Sequence, residues 1–174
     1  EELRERAERN DYFAMAHLGW RYDTGTGVKK NPREAASWYR QAADEGGHSM
    51  AQNNLGCLYR DGRGVTQDYK TASVLFRQAA KQGHAIAQYT LARLCLDGEG
   101  VEASETEAAK WNRRAAEQEV PEAQLDLAHF YLHERGVPED FVLAYVWFNH
   151  ASSNGMAAAE EHKRHIKRCM THEQ

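Results

Sequence analysis

Apolar and small residues recur along this chain with a helical period and not with the alternation of a strand. Ala51, Leu55, Leu58 and Tyr59 fall at i, i+4, i+7 and i+8, which is one face of a helix. After a polar break, Ala72, Leu75, Phe76, Ala79 and Ala80 mark a second helical face. Small residues at fixed places let two such helices approach closely, while Trp38, Leu75, Trp111 and Trp147 fill the wider gaps. The pattern therefore predicts a pair of antiparallel helices.

The pair repeats. LGWRYDTGTGV (18–28) recurs as LGCLYRDGRGV (55–65), LARLCLDGEGV (91–101) and LAHFYLHERGV (127–137). The closing valines are 65 − 28 = 37, 101 − 65 = 36 and 137 − 101 = 36 residues apart. A second block follows each copy: AASWYRQAA, TASVLFRQAA, AAKWNRRAA and LAYVWFNHAS. A fixed period of this length is the mark of a repeat architecture.

Helix boundaries are signalled independently. Asn31, Asp68, Ser104 and Asp140 occupy one equivalent position before the second helix, and all are residues that cap helix N-termini. Glu34 and Glu107 stand three residues on from Asn31 and Ser104, as in a capping box, and Pro32 suits a first helical turn. Gly25, Gly62 and Gly98 fall where the first helix ends and φ turns positive. The fourth copy has Glu134 there, so its turn is expected to differ.

The pattern A-x-x-x-LG-x-x-Y-x-x-G-x-GV, then a cap and A-x-x-WY-x-x-AA, resembles the Sel1-like repeat (SLR) family, a slightly longer relative of the tetratricopeptide repeat. The resemblance covers almost the whole chain. It implies an all-α fold, a right-handed α-solenoid forming a single domain, whose concave face is lined by first helices. The units fall near 14–50, 51–86, 87–122 and 123–158, with a partial capping helix at 1–13 and a charged capping helix at 159–174. The chain enters in mid-unit or with a capping helix, and Thr171 and Gln174 resemble the capping box of a further helix, so the native chain is expected to continue. Asn10 stands where Gly83 stands.

Composition narrows the function. A net charge of −4 advertises neither nucleic acid nor an acidic surface as partner. The longest apolar run, FVLAYVWF, is too short to span a bilayer, and the charged opening EELRERAERN has no signal-peptide pattern, so the compartment stays open. Three cysteines, Cys57, Cys95 and Cys169, are an odd count and suggest thiols, not a disulfide framework.

The chemistry is thin. The Gly-x-Gly turns are not a phosphate loop: they follow a helix, recur, and hold Thr26, Arg63, Glu99 or Arg135 in one place. His162, His165 and Cys169 share a helical face suited to zinc, but Lys163, Arg164, Lys167 and Arg168 oppose a cation; His129 and His133 lack the glutamate of a zinc protease. No cofactor is expected.

Removing the core stripe from the first helices leaves four equivalent triplets: Ala16, His17 and Trp20; Asn53, Asn54 and Cys57; Tyr89, Thr90 and Arg93; Leu125, Asp126 and His129. By resemblance these line the concave groove. His17, Trp20, Asn53, Asn54, Tyr89, Arg93, Asp126 and His129 are the candidate partner-binding residues. Aromatic anchors, backbone-bonding amides and a carboxylate-seeking arginine fit a peptide. The opposing reading packs Trp20 and Tyr89 against neighbouring helices.

The expected function is a non-enzymatic scaffold or adaptor holding a peptide or partner protein, with the bacterial adaptor and host-interaction roles that the family implies. Two alternatives stay open: a cell-wall or penicillin-binding type of enzyme related to cysteine-rich SLR proteins, whose paired cysteines this chain lacks, and a structural spacer in a larger array.

Overall fold

The computed structural model describes residues 2–172, with side chains through 167. Among the described residues every regular element is helical: α1 (Glu2–Glu8), α2 (Tyr12–Thr24), α3 (Pro32–Asp44), α4 (Ser49–Asp61), α5 (Tyr69–Lys81), α6 (Ala85–Asp97), α7 (Glu105–Ala116), α8 (Pro121–Leu132), α9 (Phe141–Ser153) and α10 (Ala157–His172). The chain forms two compact units. One runs to Ala87 and includes Glu99–Val101; the other holds Gln88–Gly98 and everything from Glu102.

In the first unit, α2 pairs with α3 and α4 with α5. Their core is Ala14, Met15 and Leu18 with Ala35, Ala36, Tyr39, Ala42, Ala43, Ala51, Leu55 and Leu58, all buried. Close approach has a specific cause. A Cβ on Gly19 would lie 2.7 Å from the Tyr39 ring, and one on Gly56 would lie 3.0 Å from the Phe76 ring. Each first helix gives up a side chain so that an aromatic from the second can lie against its backbone.

In the second unit, α7 packs on α8, and α9 packs on α8 and α10. Leu91, Leu94, Ala108, Trp111, Leu127, Phe130, Tyr131, Phe148 and Ile166 are buried there. The alanines Ala109, Ala115, Ala116, Ala123 and Ala151 are fully or nearly fully buried as well.

All four second-helix caps form. The side chains of Asn31, Asp68, Ser104 and Asp140 accept from backbone N–H groups two or three residues on, at 2.8–3.3 Å. Such bonds satisfy donors that a helix N-terminus leaves orphaned. The first helices are capped differently: Asp11 accepts from Ala14 N–H, and His48 and His84 accept through Nδ1 from Ala51 and Ala87. Val120 offers no cap bond, but Pro121 begins α8 with one donor fewer.

The paired glycines do two different jobs. Gly62 is the left-handed C-cap of α4, its N–H bonded to Leu58 O. Gly64 instead lies against backbone: a Cβ there would overlap the Pro32 carbonyl, as one on Gly100 would overlap Tyr69 and one on Gly136 would overlap Glu105. In these three turns the glycine thus seats the turn on the start of the preceding second helix, whereas Gly27 in the first turn faces the Arg21 side chain.

Two expectations can be followed in detail. The fourth turn keeps the left-handed backbone, because Glu134 takes it up at φ 53°, but it does differ locally: its helix ends one residue earlier than α4 and is not closed by a left-handed glycine. Strain is accepted there and α8 stops at Leu132, leaving His133 as its C-cap. Asn10, at φ 64°, does take the left-handed role that Gly83 has at φ 88°.

Candidate ligand-facing surfaces of the first helices

The residues facing out from the first helices form separate patches within each unit. In the first unit, the exposed His17 and Trp20 lie ring to ring at 5.7 Å, and Trp20 is 40% exposed. Asn53 and Asn54 are not free amides. Asn53 is 6% exposed and donates to Asn54 Oδ1 at 3.1 Å; Asn54 donates to the Tyr39 hydroxyl at 3.2 Å. Burial pushes the Tyr39 phenol well above its ordinary range, so it holds its proton.

Nearby arginines are also engaged. Arg63 meets Asp23 at 2.6 Å and Asp61 at 3.4 Å, and Arg60 meets Asp61 at 2.8 Å. Cys57 is half-buried, and that burial holds its thiol above the ordinary range. It is therefore a poor nucleophile at neutral pH.

The second unit has a recess of about 410 Å³, lined by Arg93, Leu96, Asp97, Asp126, His129, Phe130, His133 and Arg135. Three of the candidate residues, Arg93, Asp126 and His129, meet there. Tyr89 stands beside them, half-buried, with its hydroxyl and the Arg93 guanidinium close enough to Asp126 to favour its ionised form. Burial outweighs both and lifts the Asp126 carboxyl above its usual value. Asp126 Oδ2 is buried without a partner among the described residues. Arg135 reaches Glu105 at 2.7 Å and lies 5.6 Å over the Phe130 ring.

His129 sits in an aromatic cluster. Its ring is 4.7 Å from His162 and 5.0 Å from Phe148, both edge to face, and 5.9 Å from a parallel His133 ring. Burial first, then the His162 and His133 charges, push its pKa down to about 4. It is neutral at pH 7. His162 is therefore a packing residue on α8 and α9, His165 is exposed, and Cys169 lies outside the described side chains. Among the described residues no three His, Cys, Asp or Glu side chains are arranged to hold a metal ion. Nor is any described helix long and apolar enough to cross a membrane.

Two features escape the helical periodicity. Gln52 pairs with Gln82, Gln88 with Gln118 and Gln124 with Asn154, one amide pair in each of three repeats at 2.7–3.0 Å. The 36-residue spacing of these amides was visible in the sequence, but not that they face one another. The other is Asn112, which takes the repeat position of Tyr39, Phe76 and Phe148. It is wholly buried, and neither amide atom has a partner among the described residues.

Comparison with known proteins agrees with this architecture. A protective antigen of uropathogenic Escherichia coli with an SLR fold superposes with a TM-score of 0.87 at 34% identity, covering 91% of this chain and 34% of that one. A Sel1 repeat protein from Oxalobacter formigenes superposes with a TM-score of 0.83 at 34% identity, covering 89% and 63%. Protein sel-1 homolog 2 of Rattus norvegicus is 36% identical over 69 residues, which is 40% of this chain and 10% of that protein. The chain thus spans about a third to under two thirds of the structural relatives and a tenth of the rat protein. Sel1 repeat models match residues 13–47, 49–84, 85–120 and 121–156, so the chain belongs to the Sel1 repeat family, as an all-helical SLR-fold protein.

Proposed function

We propose that the protein is a non-enzymatic interaction scaffold that holds a peptide or a segment of a partner protein on the outward faces of its first helices. The observation carrying this reading is the partial exposure of anchoring side chains at equivalent repeat positions. Trp20 presents 40% of its surface beside His17, and Arg93 reaches solvent beside the half-buried Tyr89. Aromatic and arginine side chains dominate binding energy where they can be desolvated by a partner. A preformed helical surface adds little ordering penalty on association.

The triple variant Trp20→Ala, Tyr89→Ala, Arg93→Ala tests it. Far-ultraviolet circular dichroism should be unchanged while partner capture from cell extract is lost. Undiminished capture would remove the first-helix faces from consideration.

One observation favours an enzyme instead. Asp126 and His129 share the recess with pKa values displaced in opposite directions, up and down, the pattern of an acid–base pair. The lining residues carry no hydroxyl or thiol nucleophile, which leaves only water activation. Turnover of chromogenic ester or peptide substrates by the native chain, absent in Asp126→Ala, would establish that reading.

A further inference from the structure

We propose that the recess between α6 and α8 is a subsite for an uncharged amide of the partner: the carboxamide of an Asn or Gln side chain, or a main-chain peptide group. The inference deepens the peptide-scaffold reading and rests on it.

Its starting point is a break in the repeat. In the first unit Tyr39 packs against Gly19 and its hydroxyl receives a bond from Asn54. The same register, shifted by 73 residues for Tyr39 and 72 for Asn54, brings Asn112 and Asp126 to those places. The phenol is gone. Asn112 is too short to reproduce it, and both of its amide atoms and Asp126 Oδ2 are left without partners. Buried polar atoms are almost always bonded, and an unsatisfied one costs roughly 1–3 kcal/mol. Asn112 lies behind the recess, but Asp126 lines it, and an unpartnered carboxylate oxygen on a lining residue is the arrangement of a site that a ligand completes.

The lining then selects the ligand. Arg93 and Arg135 present guanidinium groups, while Asp97 and Asp126 present carboxyls. A carboxylate or phosphate entering the recess is repelled by Asp97 and Asp126, and an ammonium is repelled by Arg93 and Arg135. An amide avoids both penalties, because its N–H suits the Asp126 carboxylate and its C=O suits the Arg93 guanidinium. Arg135 is committed to Glu105, and Arg93, exposed and in contact with Tyr89, has five N–H donors, of which one can serve the amide oxygen. Asp126 Oδ2 faces inward, but the terminal torsion of an aspartate is soft, so a small rotation brings the carboxylate to a donor in the recess. His129, kept neutral, adds a polar wall without adding charge.

The test is a ¹⁵N–¹H NMR titration of the whole chain with four small probes: the N-acetyl, N-methylamide derivatives of glutamine, alanine, glutamate and lysine. The glutamine compound is expected to give saturable shifts at Arg93 Nε–H and at the amides of Asp126–Phe130, with the glutamate and lysine compounds at least tenfold weaker where the side-chain carboxamide is the ligand. Equal binding of the alanine compound would assign the amide to the main chain; tenfold weaker binding would assign it to the side chain. Asp126→Leu and Arg93→Met, each keeping side-chain bulk, should both weaken the preferred probe at least tenfold while leaving the rest of the spectrum in place. No saturable shift, binding of a charged probe as tight as glutamine's where the alanine compound binds tenfold weaker, or undiminished binding by Asp126→Leu would overturn the proposal. Failure of all probes while the Trp20/Tyr89/Arg93 variant still loses its partner would remove the subsite and leave the scaffold. Probe binding without any loss of partner capture in that variant would do the reverse.

Discussion

Asp126 and His129 are neighbours whose protonation acts on stability with opposite signs. The folded His129 pKa, about 4, lies below the ordinary value of 6.5, so the unfolded chain takes up the proton first. Stability is therefore full above pH 6.5 and declines as pH falls towards 4, by roughly 1–2 kcal/mol once solvent screening of a half-exposed ring is allowed for. His48 and His84 add to this trend: burial lowers both, and each must stay unprotonated at Nδ1 to cap its helix. Melting curves between pH 7.5 and 4.5 should show the decline, and His129→Gln should flatten it. Asp126 runs the other way. Its raised folded pKa means that the penalty is full above that value and disappears as pH falls below the ordinary 3.8. Asp126→Asn should accordingly raise the melting temperature at pH 7 and leave it unchanged near pH 3.5. A gain at pH 7 that accompanies lost probe binding is the signature of a residue kept for a ligand at the expense of stability.

At the level of helices and turns, the paired glycines make a graded prediction. Gly62→Ala places a methyl group in the left-handed region with only the Gln67 Cβ nearby, at 3.3 Å, and should cost about 1 kcal/mol. Gly64→Ala has similar torsional strain and in addition overlaps the Pro32 backbone, so it should cost more than about 2 kcal/mol. Urea denaturation of the two variants ranks them; a reversed order would refute the seating role of the second glycine. Conversely Glu134→Gly relieves a left-handed glutamate and should stabilise by about 1 kcal/mol. The helices themselves were legible: the caps at Asn31, Asp68, Ser104 and Asp140 follow from residue type and repeat register alone. The histidine caps were not, because histidine is an uncommon cap and its Nδ1 becomes one only when the ring folds back on the next turn.

Across the molecule, four in-register copies make the architecture readable, since each repeat restates the same packing problem and its solution. Function is not restated in that way. It lies where the copies disagree, and a disagreement in sequence does not say what fills the space it opens. Asn53 and Asn54 look like ligand-bonding amides in a string of letters, but one is buried and the other is tied to Tyr39. Asn112 looks like one more polar letter in a helix, yet it removes an aromatic from the core. The amide pairs Gln52–Gln82 and Gln124–Asn154 belong to different units, so Gln52→Ala and Gln124→Ala should each cost about 1 kcal/mol and add when combined. Non-additivity in denaturation would show that the repeats share more than their pattern.

The glycine that seats each turn has a further consequence. Because Gly64, Gly100 and Gly136 meet main chain and not side chains, the join between a turn and the helix beneath it is nearly blind to the residues around it. A joint made of backbone tolerates change in everything it carries. The residue held before the seating glycine can be arginine or glutamate without disturbing the seam, which is what Arg63, Glu99 and Arg135 show. Each turn is thus an interchangeable socket, where a surface side chain can be exchanged while the frame beneath it stays the same.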